Sequence, residues 1–173
     1  VGQELNIRED PITAFLHLFK KQPDAAKQKN QKNGLMPLHW AIYRGSPFEV
    51  VAALIKAWPQ AVKEKDIFGR TPLHRACYRK ASFEVTSLLL NTWLSIIENR
   101  TKSLITSFQR YTKYCTEDVN ALFSHLFSLY NNDADNPSPN EIMDYFVHIE
   151  MWNGVTLVLD RNPAVVKTIG LDT

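Results

Sequence analysis

The chain says the same thing twice. Asn33-Gly34-Leu35-Met36-Pro37-Leu38-His39-Trp40-Ala41 returns as Phe68-Gly69-Arg70-Thr71-Pro72-Leu73-His74-Arg75-Ala76, with Gly, Pro, Leu, His and Ala 35 residues apart. Phe48-Glu49-Val50 returns as Phe83-Glu84-Val85 at the same separation. A period of this length marks stacked units, each too small to bury its apolar face alone. Local chemistry fills in one unit. The Thr71 hydroxyl suits a helix N-cap, and Pro72 suits the first helical position, where an N–H has no intrahelical partner. Gly34 and Gly69 fit turns just upstream. Ser46, with Glu49 three residues on, reads as a capping box that opens a second helix. One period is therefore turn, short helix, turn, longer helix, and the expected fold class is all-α.

The flanks keep partial phase. Val1 to Glu9 reads as polar and loose, and Asp10-Pro11 as a cap and first turn. Ala14, Phe15, Leu18 and Phe19 then form one helical face ending at Pro23. Pro11 and Pro47 differ by 36, as do Pro23 and Pro59, so 11–23 reads as the second helix of an earlier unit. Beyond Leu94 the pattern changes. Neither Pro nor Gly occurs from Arg70 to Asn136 except Pro72. Trp93, Ile97, Leu104, Phe108, Tyr111 and Cys115 keep helical spacing, which predicts one long helix from about Ser82 to Lys113. Thr116 then caps a further helix carrying Val119, Leu122, Phe123, Leu126 and Leu129. Asn131 to Pro137 is a loop. Ser138-Pro139-Asn140-Glu141 is a strong helix start. Trp152, Val155, Val158, Leu159 and Pro163 follow Phe48, Val51, Leu54, Ile55 and Pro59 at a constant offset of 104. Pro163 to Lys167 echoes Pro59 to Lys63.

Thr71-Pro72-Leu73-His74-Arg75-Ala76 above all resembles the ankyrin repeat. The resemblance covers residues 33–93 strongly, 10–24 and 138–168 in phase, and not 95–137. It implies an ankyrin-type α-solenoid: repeats over 1–94 (partial 10–24, full 33–59, second 66–94), a helical insertion or decayed repeats over 95–137, and a degenerate repeat over 138–173. The insertion is the favoured reading, since no Thr-Pro-Leu-His remnant survives there. Two departures weaken helix ends: Met36 stands in place of the capping Thr, and Lys80 in place of a Gly. The resemblance implies that His39 and His74 are structural and bond the neighbouring turn. It also implies a non-catalytic module that binds a protein partner on its concave side. The positions resembling that surface are Leu35, Tyr43, Arg44, Ile67, Phe68, Arg70, Tyr78 and Arg79. The Tyr-Arg pair recurs at the repeat spacing, and both types are favoured interface anchors. The alternative is a targeting or regulatory array of a larger enzyme or membrane protein. A first residue other than Met suits a piece of something longer.

Composition excludes more than it proposes. Net charge is +2, too small to argue for nucleic acid. Lys20, Lys21, Lys27, Lys29 and Lys32 cluster without interleaved aromatics, so base stacking has no platform. Two cysteines, Cys77 and Cys115, make no disulfide framework, and an intracellular, cytoplasmic setting is expected. With His125 they lack metal-ligand spacing. Asp133, Asp135 and Glu141 lack the glycine of a calcium loop. No partner nucleophile recurs beside both His39 and His74, and His17, His125 and His148 are scattered. Asn99-Arg100-Thr101 matches a glycosylation acceptor, but inside a predicted helix. No cofactor, metal or membrane segment is expected.

Overall fold

The computed structural model describes residues 11–131 and 133–165, and within them every regular element is helical. The expected cap at Asp10, the loose start over 1–9 and the end of the Pro163 echo lie outside the described residues.

Helix α1 (Pro11–Lys21) lays Phe15 and Phe19 against the rest, their rings stacked 5.5 Å apart. Leu18, expected on the same buried face, is exposed. A 3-10 turn over Pro23–Lys27 leads to α2 (Pro37–Arg44) and α3 (Phe48–Ala57), and another over Pro59–Lys63 to α4 (Pro72–Tyr78) and α5 (Phe83–Leu94). The two units stack in two rows. The short helix α2 packs on α4, while α1 packs on α3 and α3 on α5. Leu38, Leu73, Val51, Leu89 and Leu90 fill the space between rows, each at most 1% exposed. Burying such a side chain contributes about 2 kcal/mol.

The helix starts follow the capping logic in part. The Thr71 hydroxyl accepts from His74 N–H, and Ser82 caps α5 through Val85 N–H. Ser46 makes no capping box. Its N–H donates to the Ala41 carbonyl in the turn after α2, and Pro47 takes the cap position of α3 with no side-chain bond. Gly45 and Lys80 close the two short helices at the same point of the repeat with φ of 65° and 53°. A left-handed residue is natural for Gly45 and strained for Lys80.

The single long helix is not formed. Helix α5 stops at Leu94, and a 3-10 turn over Ile97–Asn99 follows. The carbonyls of Trp93 and Leu94, which a longer helix would use, instead accept from Asn99 Nδ2 and Arg100 Nε, each at 2.8 Å. Thr101 then caps α6 (Lys102–Thr106) through Leu104 N–H, and α7 (Gln109–Thr112) and α8 (Glu117–Ser128) come next. Helix α7 packs on α4 and α8 on α5, so each continues one row of the stack. Asn99, the expected glycosylation coincidence, is buried with its amide engaged.

Helix α9 (Pro139–His148) starts as its sequence requires, with Ser138 and Glu141 capping reciprocally. It pairs with α10 (Trp152–Arg161), which also lies along α5. Asn153 N–H and Nδ2 donate to Asn91 of α5, and Arg100 reaches Asp160 and Thr156. Tyr145 stacks on His125 of α8 at 3.9 Å. Helix α5 is thus touched by α3, α4, α8 and α10.

Candidate binding surface

The turn before each short helix is fixed from beneath. Asp66, 5% exposed, accepts from the N–H groups of Phe68 and Arg70 with one oxygen. Its other oxygen accepts from Arg70 Nε at 3.1 Å and Arg75 Nη2 at 2.7 Å. Burial works to raise the Asp66 carboxyl. The Arg70 N–H, the Arg75 guanidinium, the Phe68 N–H and the Arg70 charge outweigh it, and the pKa lies below the ordinary value. The rigid tip that results projects Ile67 and Phe68, 61% and 70% exposed, with the Arg70 guanidinium 4.6 Å over the Phe68 ring. Neighbouring tips lie side by side: Ile67 N–H donates to the Asn33 carbonyl, and a Cβ on Gly34 would stand 3.1 Å from Ile67 N.

His39 ties one unit to the next. Its Nδ1 accepts from Met36 N–H, so Nε2 carries the proton and donates to the Arg70 carbonyl at 3.1 Å. His74 bonds Thr71 the same way through Nδ1, but its ring lies against Phe108 at 4.4 Å and Tyr111 at 4.8 Å. Burial lowers both imidazoles to about 4, so both are neutral. His39 bonds the neighbouring turn, as the resemblance implied, whereas His74 bonds its own Thr71 and packs against two rings.

The other candidate residues gather at the far end of the short helices. Tyr43, Arg44, Tyr78 and Arg79 are all exposed. The Arg79 guanidinium sits 4.9 Å over the Tyr43 ring, crossing from one unit to the next. Tyr78 meets Tyr114 edge-on at 5.4 Å, and Lys113 Nζ lies 4.9 Å over Tyr114. Arg44 lies over Trp40 at 5.8 Å, and Trp40 meets Tyr43 edge-on. Trp40, Tyr43, Arg44 and Arg79 make one set of contacts and Tyr78, Lys113 and Tyr114 another, and the chain neighbours Tyr78 and Arg79 set the two next to each other as a ladder of rings and cations. Ile67, Phe68 and Arg70 form a separate patch, one short helix or about 10 Å away. Leu35 joins neither patch. It is 7% exposed, part of the packing under the turn, and offers a partner no side-chain surface.

Sequence reasoning missed Trp40 and Tyr114. Trp40 was legible as one of the mismatches inside the repeated motif, where the second copy has Arg75. Tyr114 was hidden by the long-helix reading. The Lys-rich turns are partly paired, Lys27 with Asp24 and Lys29 with Glu64. The neighbouring Cys115 thiol, together with burial, holds the Cys77 thiol above its ordinary range. Among the described residues no group of three or more His, Cys, Asp and Glu could hold a metal ion. Nor is any described helix long and apolar enough to cross a membrane.

Residues 7–100 match the family model described as Ankyrin repeats (3 copies), which is 94 of the 173 residues. The chain belongs to the ankyrin repeat family. Within this ankyrin repeat chain the match takes in α1 to α5, and three copies fit its three outer helices α1, α3 and α5. It ends at Arg100, before α6, so the additional helices continue the stack without matching the repeat. No curated protein and no solved structure matches the chain.

Proposed function

We propose that this ankyrin stack is a non-catalytic module that binds a protein partner along the ring-and-cation ladder. The observation that carries this reading is the exposure of Tyr43, Tyr78 and Arg79, with Arg79 over the Tyr43 ring and Tyr78 edge-on to Tyr114. A fold of this size has enough core to bury such rings, yet these stay at the surface in fixed orientations. Binding them costs little side-chain entropy, which suits interface anchors. Residues 95–137 fit the same reading better as a decayed repeat than as an insertion, because α7 and α8 extend the two rows. Tyr114 then supplies the third rung.

The test is an unbiased pull-down followed by affinity measurement with Tyr78→Ala/Arg79→Ala. The expected loss is about 2 kcal/mol or more of binding, with helicity nearly unchanged. A variant that melts far lower but binds as well per folded molecule would make the ladder packing alone. The partner surface would then have to be sought at the Ile67–Phe68 tip.

A further inference from the structure

Cys77 and Cys115 are far apart in sequence and neighbours in the fold. Helix α4, which carries Cys77, packs on α7, and the turn after α7 carries Cys115, whose N–H donates to the Thr112 carbonyl at 2.9 Å. Cys77 follows His74 by three residues and Cys115 follows Tyr111 by four, so each thiol shares a helical face with a ring. Those two rings meet at 4.8 Å, one turn before the thiols. Beside the thiols, Tyr78 meets Tyr114 at 5.4 Å. The contacts run in the same order along both segments, which sets the two cysteines at matching positions.

The two are unequal. Cys77 is 1% exposed and belongs to the core, whereas Cys115 packs against that core and stays half-buried. The Cys115 Sγ turns back along its own segment to the Tyr111 carbonyl at 3.9 Å. A single buried thiol is an inert core residue, but a reachable thiol against a buried one has the layout of an oxidation site with a resolving partner. Ionisation favours the same order. The Cys77 thiol holds Cys115 below the ordinary thiol value, and the Cys115 thiol and burial hold Cys77 above it. The chain has two cysteines, so this is the one internal disulfide it can form.

We propose that Cys77 and Cys115 are a modification site for hydroperoxides, at which Cys115 is oxidised first and Cys77 then closes an internal disulfide. The Cys115 thiolate attacks one peroxide oxygen and the O–O bond breaks. The departing oxygen takes the proton that Cys115 gave up and leaves as water or an alcohol, and Cys115 is a sulfenic acid. The Cys77 sulfur then attacks the Cys115 sulfur. The S–S bond forms, the S–O bond breaks, and the hydroxyl leaves as water with the Cys77 proton. The peroxide accepts the two electrons that the two thiols lose. The new bond ties α4, inside the matched repeats, to the segment between α7 and α8, outside them. The site does not depend on the reading given to the ladder, although Tyr78 and Tyr114 adjoin it in sequence.

The experiment treats the whole 173-residue chain, folded and reduced, with hydrogen peroxide and follows intact mass and peptide maps taken without reductant. Loss of two hydrogen atoms, a peptide that joins Cys77 to Cys115, and reversal by dithiothreitol are expected. The oxidised chain is expected to unfold at a higher urea midpoint than the reduced one, because the bond constrains the unfolded state. In Cys77→Ser, dimedone is expected to trap a sulfenic acid at Cys115. In Cys115→Ser, trapping at Cys77 is expected to be slower by about tenfold or more. Limiting iodoacetamide on the native wild-type chain keeps the test decisive if either variant fails to fold, and it is expected to label Cys115 before Cys77. The proposal fails if the link forms only after urea has unfolded the chain, or if peroxide joins separate chains instead. It also fails if Cys77 is labelled first, or if Cys115 is oxidised and no internal link follows.

Discussion

His39 and His74 are alike in sequence and in protonation, and different in what they hold. His39 reaches a carbonyl of the next turn, whereas His74 meets two rings contributed by residues with no repeat motif. Both imidazoles sit near 4 against an ordinary 6.5, because burial disfavours the charged form. Between those values the unfolded chain takes up protons that the folded chain refuses. Their contribution is complete above the unfolded value and is lost as pH falls toward 4. Urea unfolding at pH 7 and pH 5 should differ by about 2 kcal/mol per histidine, and His39→Gln should remove roughly half of that slope. Asp66, held below 3.8, adds its loss only at lower pH. Lys80 makes an independent prediction. It holds a φ of 53° where the preceding unit has Gly45. Lys80→Gly relieves a left-handed side chain and should raise stability by about 1 kcal/mol, read as a later urea midpoint at unchanged slope.

At the scale of elements, helix starts were more legible than helix ends. Thr71, Ser82 and Ser138 each cap a helix through a bond that the sequence alone suggests, while the Thr101 cap falls inside what the spacing predicts as one long helix. The end of α5 had no such sign. No Pro or Gly stands near Leu94, and the apolar spacing runs on through Phe108 and Tyr111. What stops the helix is a side-chain amide and a guanidinium arriving from Asn99 and Arg100, a choice settled by tertiary packing rather than propensity. Asn99→Ala leaves the buried Trp93 carbonyl without that donor. A loss of about 1–2 kcal/mol is expected in chemical unfolding, with no gain in helix content by circular dichroism. A gain would mean that α5 had run on into the following turn.

At the scale of the molecule, the repeat made residues 33–94 readable because its spacing fixes which faces meet. The ladder was readable for the same reason, since Tyr-Arg recurs with the period. Its third rung was not, because Tyr114 lies in a segment that carries no copy of the motif, although the helix before it packs on α4. The offset of 104 placed α10 in phase, yet phase did not disclose that α10 would lie along α5. That contact changes how the protein should bear load. A linear stack pulled from its ends peels one unit at a time, each step breaking only the nearest interface. Here α5 is held on four sides by α3, α4, α8 and α10, and Asn91, Arg100 and Asp160 clasp it to the last hairpin. Under force applied to both termini, α9 and α10 should come away first in a single step at the clasp. Only afterwards can α5 leave its neighbours. Asn153→Ala should lower that first rupture force and leave later steps unchanged in an optical-trap record. In mechanical terms α5 is a keystone, and the hairpin that clasps it lies outside the matched residues 7–100.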